Sequence, residues 1–208
     1  MNQDNIFLKG EGDAWYNRNK DAIIKQLEDD DIPRLLSESK IIPTRILDVG
    51  CADGDRLEVM RNQFDCECYG IDPSLDAIEA GRCTYPKLSL SRSNIAEMKF
   101  PRQFFDLVTA RFVFHWIDRN TLFESCEKID ACLKWGGYLA ISDFFKEDFV
   151  KRRYHHTNDG MFTYKQFYPG IFIVTGNYEV ITTLILPYDK TDNKFVTILK
   201  KKNQSVEE

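Results

Sequence analysis

Apolar and polar positions change period several times along this chain. Between residues 11 and 40 the apolar positions recur at helical spacing, with a break expected around Pro33. Ile46 to Gly50 reads as a first strand, and Asp55 to Gln63 as a helix with Leu57 and Met60 on one side. Cys66 to Ile71 is a second strand, and Ser74 is placed to cap a helix running to about Arg82. Leu88 to Leu90 is a short third strand. Phe105 to Ala110 is a continuous apolar run, as expected of a strand buried on both faces. Thr121 opens a helix that continues to Leu133 and is expected to end at Gly136-Gly137. Tyr138 to Ser142 is a fifth strand. Tyr178 to Leu186 and Phe195 to Lys200, rich in β-branched residues, read as a closing hairpin across the turn formers between Pro187 and Asn193. Strands alternating with helices predict one α/β domain over residues 1–208. Its architecture is Rossmann-like: a seven-stranded, mostly parallel sheet with helices on both faces, behind cap helices over residues 1–40.

One stretch breaks the alternation. Residues 144–176 form an insertion between the fifth and sixth strands, dense in aromatic and polar residues such as Tyr154-His155-His156 and Phe162-Thr163-Tyr164-Lys165. Loops this long are functional or disordered, and the aromatics argue against disorder. The insertion is expected to be a lid over the functional face; packing against the sheet edge is the alternative.

Composition narrows the class. With 208 residues, 43% hydrophobic and 29% charged, the chain is an ordinary globular domain. Its net charge of −5 and the lack of a basic run beyond Lys200-Lys201-Lys202 argue against a nucleic-acid partner. No apolar run approaches a membrane span, and the polar start Met1-Asn2-Gln3-Asp4 carries no signal-peptide pattern, so a cytoplasmic protein is expected. The six cysteines lack paired metal-ligand spacing and are expected to be buried free thiols; no metal is expected. The sequence does not fix an oligomeric state, although the last two strands could offer an edge.

The most informative segment is Arg45-Ile46-Leu47-Asp48-Val49-Gly50-Cys51-Ala52-Asp53-Gly54. A strand runs into an acid and a glycine turn, where a ligand can approach the backbone closely. Asp72, followed by Pro73, ends the next strand, where a nucleotide ribose is held in doubly wound sheets. Together these point to a nucleoside-containing cofactor. Gly50-x-x-x-Gly54 is not the Gly-x-Gly-x-x-Gly of dinucleotide sites. Carboxylates flanking the turn suit a ligand with an ammonium and a sulfonium better than one with phosphates. A nicotinamide dinucleotide, or a turn without ligand, remains the alternative.

The Asp48 turn resembles motif I of class I S-adenosylmethionine-dependent methyltransferases, and Asp72 resembles that family's ribose-binding acid. Ala52 stands where members usually have a third glycine. The resemblance covers about Ala14 to Lys200. It implies S-adenosylmethionine as cofactor, held by Asp48, Gly50, Cys51, Ala52, Asp53, Asp72 and Pro73. Ser93-Asn94-Ile95 matches the adenine-binding segment, with Asn94 in place of the usual acid, so Asn94 and Ile95 are expected at the adenine. Phe104 to Val108 and Leu133 to Gly137 resemble structural markers of the family. The segment Ala14-Trp15-Tyr16-Asn17-Arg18-Asn19 resembles the entry helix of small bacterial methyltransferases associated with surface-polysaccharide pathways. There Arg18 is expected to pair with the cofactor carboxylate, and Trp15 or Tyr16 to face the sulfonium. Arg111, Phe112 and Trp116, after the fourth strand, are expected beside the cofactor.

Methyl transfer to a hydroxyl needs alignment and a base. The three histidines, His155, His156 and His115, all fall in strand-end or insertion segments, and the adjacent pair is the first expectation for the base. Arg152, Arg153, Tyr164 and Lys165 are expected to bind the acceptor, with a solvated loop as the alternative. The expected acceptor is a small polar molecule, a hydroxyl of a sugar, sugar nucleotide or phosphorylated metabolite. N- or carboxyl-methylation, or a non-catalytic cofactor-binding activator of another methyltransferase, stays open.

Overall fold

In the computed structural model, which describes residues 2–25, 27, 30–157 and 160–203, one sheet positions everything else. Met1, residues 26, 28 and 29 of the expected helical stretch, residues 158 and 159 of the insertion and residues 204–208 of the expected domain lie outside the described residues. The strands are β1 (Arg45–Val49), β2 (Glu67–Asp72), β3 (Ser89–Arg92), β4 (Phe105–Arg111), β5 (Leu133–Phe145), β8 (Tyr178–Pro187) and β9 (Asn193–Lys201). Their order is β3-β2-β1-β4-β5-β9-β8, with β9 antiparallel to both neighbours and the first five parallel. The sheet is therefore seven-stranded and mostly parallel, as the pattern predicts.

Strand alternation divides the core between the two faces. Leu47 and Val49 of β1, with Phe195 and Leu199 of β9, pack against Cys126 and Ile129 of α6 (Leu122–Cys132). Ile46, Val196 and Ile198 pack on the opposite face against α3 (Asp31–Glu38), α4 (Asp55–Phe64) and α5 (Leu75–Thr84). Ser74 caps α5 as expected, its Oγ accepting from Ala77 N at 3.1 Å.

The sequence pattern misplaces several boundaries. The N-terminal stretch is α1 (Gln3–Ile6), a kinked segment Phe7–Glu11, then α2 (Gly12–Lys25) and α3. Pro33 does not break a helix; it sits buried in the first turn of α3, where a missing N–H is harmless. Nor does Gly136-Gly137 end α6. The helix stops at Cys132, and the glycines lie inside β5, where Gly136 has φ +78° at a register shift against β4. The insertion holds two strands that the pattern does not show, β6 (Val150–Arg153) and β7 (Phe162–Lys165), paired antiparallel, and α7 (Pro169–Ile173). All six cysteines are free, but Cys83 is exposed and Cys66 half-buried, against the expectation that all are buried. Among the described residues no helix is long and apolar enough to cross a membrane.

Close packing of α5 against the turn after β1 gives a first test. A Cβ on Gly81 would lie 2.1 Å from the Asp53 carbonyl oxygen and 2.6 Å from Leu90 Cδ1. Gly→Ala in a helix normally stabilises by up to ~1 kcal/mol. Here the sign should reverse. Gly81→Ala should destabilise by about 1–3 kcal/mol, read as a lower urea midpoint. An unchanged or higher midpoint would refute this packing.

Candidate active site

Backbone conformation builds the floor. Leaving β1, the chain turns through three left-handed residues, Gly50 (φ +71°), Ala52 (φ +51°) and Gly54 (φ +86°). Gly50 has no alternative: a Cβ there would meet Val113 Cγ2 at 2.3 Å. The turn is held by the acid of the next strand. Asp72 accepts from Ala52 N at 2.9 Å and from Ser74 N at 2.8 Å, one bond to each oxygen. Burial pushes its carboxyl up to about 6, against the pull of those two amides.

Asp72, Pro73, Gly50 and Ala52 form one end of a cavity of about 380 Å³, with Asn94, Ile95 and Trp15 beside them. Arg111, Phe112, His115 and Trp116 line it further along, at the carboxyl end of β4. The turn and the segment after β4 thus meet in one cleft, where an open α/β sheet holds ligands.

Several expected residues do not reach the cavity. Asp48 is buried under the turn, with Oδ1 taking the Thr109 hydroxyl at 2.7 Å and Oδ2 unpartnered among the described residues. Burial lifts its carboxyl to about 6, opposed by Arg56 and Thr109. Cys51 fills the space against Gly70. Asp53 accepts from the buried Tyr16 hydroxyl at 2.8 Å, so this pair ties α2 to the turn. Arg18 does not line the cavity; its Nη2 donates to Glu11 at 2.5 Å and to the Tyr154 hydroxyl at 2.6 Å. The fork expected for a cofactor carboxylate is engaged by an acid seven residues away, on the preceding helical turns. Asn94 does line the cavity, but its Oδ1 accepts from Glu97 N at 2.8 Å and closes a local turn. Its side-chain oxygen spends one lone pair on that turn and keeps another.

The histidines separate sharply. His156 is exposed and off the cavity, and His155 is exposed at its rim. His115 is 3% exposed and lines the cavity. Phe112, with φ +55°, takes the chain out of β4 into the short turn Phe114–Trp116 that presents His115. The imidazole Nδ1 lies 2.8 Å from Asp143 Oδ1, and the His115 backbone N–H donates to Asp143 Oδ2 at 3.1 Å. Asp143 is fully buried near the end of β5 and also accepts from Phe144 N. A carboxylate that only accepts puts a proton on Nδ1, so that in the neutral imidazole Nε2 has the lone pair. The sequence reading missed Asp143; its one signal was an acid just past an apolar run, on the strand beside the His115 segment.

The insertion both packs and contributes walls. Gln3 Nε2 donates to the carbonyls of Trp116 and Phe162, and Phe162 N donates back to Gln3 Oε1 at 3.0 Å, so the N-terminal segment joins the insertion over the loop after β4. Arg152, Arg153, His155 and Lys165 line the cavity. Tyr164 does not; it stacks under the Arg119 guanidinium at 4.2 Å. Lys165 is buried, its Nζ 2.6 Å from Asp192 and 3.9 Å from the centre of the Phe144 ring. Arg56 and Arg111, both on the cavity wall, face Asp30 at 2.8 and 3.8 Å, and burial lowers the Arg111 pKa. Among the described residues no cluster of His, Cys, Asp or Glu could hold a metal ion.

Known proteins resemble this chain in three ways. A family described as a methyltransferase domain matches residues 16–173. Phosphoethanolamine N-methyltransferase 3 of Arabidopsis thaliana is 27% identical over 177 residues, 78% of this chain and 33% of that protein. Trans-aconitate 2-methyltransferase of Sinorhizobium medicae is 30% identical over 95 residues, 45% of this chain and 36% of that protein. The chain thus spans about a third of the length of these two curated relatives. Among solved structures, the 1,6-didemethyltoxoflavin-N1-methyltransferase of Burkholderia thailandensis, with bound 1,6-didemethyltoxoflavin and S-adenosylhomocysteine, superposes with a TM-score of 0.76. It is 14% identical, and the match covers 95% of this chain and 88% of that one; at this identity the likeness shows the fold alone. With the family match spanning well over half of its length, the chain belongs to the methyltransferase domain family.

Proposed function

We propose that this chain transfers a methyl group from S-adenosylmethionine to a small polar acceptor, with His115 as the base. One observation carries the reading: Asp72 and His115, the latter paired with Asp143 behind it, line a single cavity. The cofactor is S-adenosylmethionine, and the residues present fit it. Each Asp72 oxygen spends one lone pair on a backbone amide and keeps another for a ribose hydroxyl. Gly50, with no Cβ, lets the turn pack against Val113, and both residues line the cleft. Asn94 and Ile95 would flank the adenine, and Trp15 would cover the cofactor from α2.

When bound, the cofactor supplies a methyl group already activated by a positive sulfur. The chain must then align the acceptor and take its proton. A base is needed for a hydroxyl or an amine, whereas a carboxylate can be methylated without one. His115 therefore supports a hydroxyl of a sugar, sugar nucleotide or phosphorylated metabolite first, and an amine second. The second is favoured by the N-methyltransferase among the relatives. A place in surface-polysaccharide synthesis rests on the Trp15–Asn19 motif alone. We propose a small-molecule partner rather than nucleic acid or membrane, and a cytoplasmic location.

Melting temperature measured with S-adenosylmethionine, S-adenosylhomocysteine and NAD in parallel tests the cofactor. A ligand at a hundredfold excess over Kd stabilises by about 2.7 kcal/mol. The two adenosyl-sulfur ligands should raise Tm and NAD should not. No shift with either, or a shift with NAD, would overturn the reading. Binding without turnover on any acceptor would favour the activator alternative.

A further inference from the structure

The far end of the cavity holds more positive charge than its own acids offset. Asp192, 4% exposed, receives three cations: Lys165 Nζ at 2.6 Å, Lys146 Nζ at 2.8 Å and Arg152 Nη1 at 3.5 Å. Lys165 and Arg152 line the cavity, and Arg153 adds a fourth cation to that wall. The carboxylates that line the cavity are elsewhere. Asp72 is at the cofactor end, and Asp4 is bonded to Thr121 and to Asp118 N. Arg56 and Arg111 are a different case, because Asp30 and the buried Asp48 stand behind them.

A lysine with 4% of its side chain exposed is costly unless its charge is met. Here one carboxylate is shared among three cations, so an anion entering the cavity would complete the compensation. The ring of Phe144 links this cluster to the base. Lys165 Nζ is 3.9 Å from its centre, and the His115 ring centre is 4.8 Å from it. Phe112, Phe144 and Tyr188 pack mutually at 4.9–5.2 Å and all line the same end, an apolar wall for the body of a ligand.

We propose that the acceptor carries an oxyanion, a carboxylate or a phosphate, seated on Lys165, Arg152 and Arg153, with its body against Phe112, Phe144 and Tyr188. This rests on the methyl-transfer reading. The oxyanion is a handle and not the methylated group, since it faces ammonium and guanidinium groups while His115 addresses a separate proton.

The test is calorimetry at constant ionic strength on the full chain saturated with S-adenosylhomocysteine. The probes are matched pairs: benzoate against benzamide, and phenyl phosphate against phenol. At least one acid should bind about tenfold or more tightly than its neutral partner, the worth of one charge-assisted hydrogen bond. The two arms tell carboxylate from phosphate. Lys165→Met should abolish the preference while S-adenosylhomocysteine affinity is kept. Arg152→Gln, at an exposed position, should reduce the preference and keeps the test decisive if Lys165→Met does not fold. Neutral probes binding as well as acids, neither acid binding, or a preference that survives in the folded variants would overturn the proposal while leaving the cofactor reading standing. Failure of S-adenosylhomocysteine itself to bind would sink both.

Discussion

Replacing His115 by alanine should lower kcat by about 10²- to 10⁴-fold, the range for loss of a general base, with S-adenosylhomocysteine affinity nearly kept. The argument is geometric. The imidazole is held from behind by a fully buried carboxylate that also takes the backbone amides of His115 and Phe144, so ring orientation and tautomer are fixed before any acceptor arrives. Asp143→Asn should therefore also lower kcat. An amide can turn either oxygen or nitrogen toward Nδ1, and the tautomer with a lone pair on Nε2 is no longer enforced. Loss of kcat with S-adenosylhomocysteine affinity kept separates a base from a histidine that merely shapes the cleft. His156→Ala, exposed and off the cavity, should leave kcat unchanged. Wild-type turnover in a folded His115→Ala protein would rule out the role.

Asp72→Ala should weaken cofactor binding by about two orders of magnitude or more, since two hydroxyl bonds to a charged acceptor are each worth about 1.5–3 kcal/mol. It should also loosen the turn, because Ala52 N and Ser74 N lose their acceptor. Asp72→Asn keeps one acceptor oxygen and should fall between the two. Acid should act in the same direction. With the Asp72 carboxyl raised to about 6 by burial, S-adenosylhomocysteine affinity should fall as pH drops below about 6, because the protonated group accepts ribose hydroxyls poorly. Stability of the ligand-free protein should move the other way. A carboxyl whose folded pKa is raised holds its proton more tightly when folded, so the contribution is full below the unfolded value near 3.9 and is lost as pH rises through about 6. Asp48, also raised to about 6, adds to the same trend. Calorimetric affinity and the urea midpoint, both followed from pH 4 to 7, check the pair of signs. Affinity independent of pH across that window, or unchanged in Asp72→Ala, would refute the ribose assignment.

The turn that opens the site was legible because its requirements are local. Gly50 and Gly54 mark left-handed backbone, and Asp72 ends a strand adjacent in sequence and in the sheet. That Gly50, Ala52, Asp72 and Pro73 come together on one cavity could therefore be drawn from the residue pattern. The chemistry at the far end could not. Arg18, read as a fork for the cofactor, finds Glu11 on its own N-terminal segment and Tyr154 from the insertion. The adjacent histidines looked like the base because they sit together in an aromatic loop, yet they lie in a bend just past β6 with both side chains exposed. Strands β6 and β7 are four residues each, too short for a period to emerge.

What the sequence alone determined is what repeats locally. Apolar runs and glycine turns dictate an α/β sheet with a left-handed turn after its first strand, since strand burial and positive φ act within a few residues. What only the tertiary structure decided is which charged groups meet. Asp143 reaches His115 across 28 positions, and Asp192 reaches Lys165 across 27. Those pairings depend on β4 lying beside β5 and on the insertion folding back beside the loop between β8 and β9. Electrostatics depends on distance in space, and no spacing along the chain encodes it.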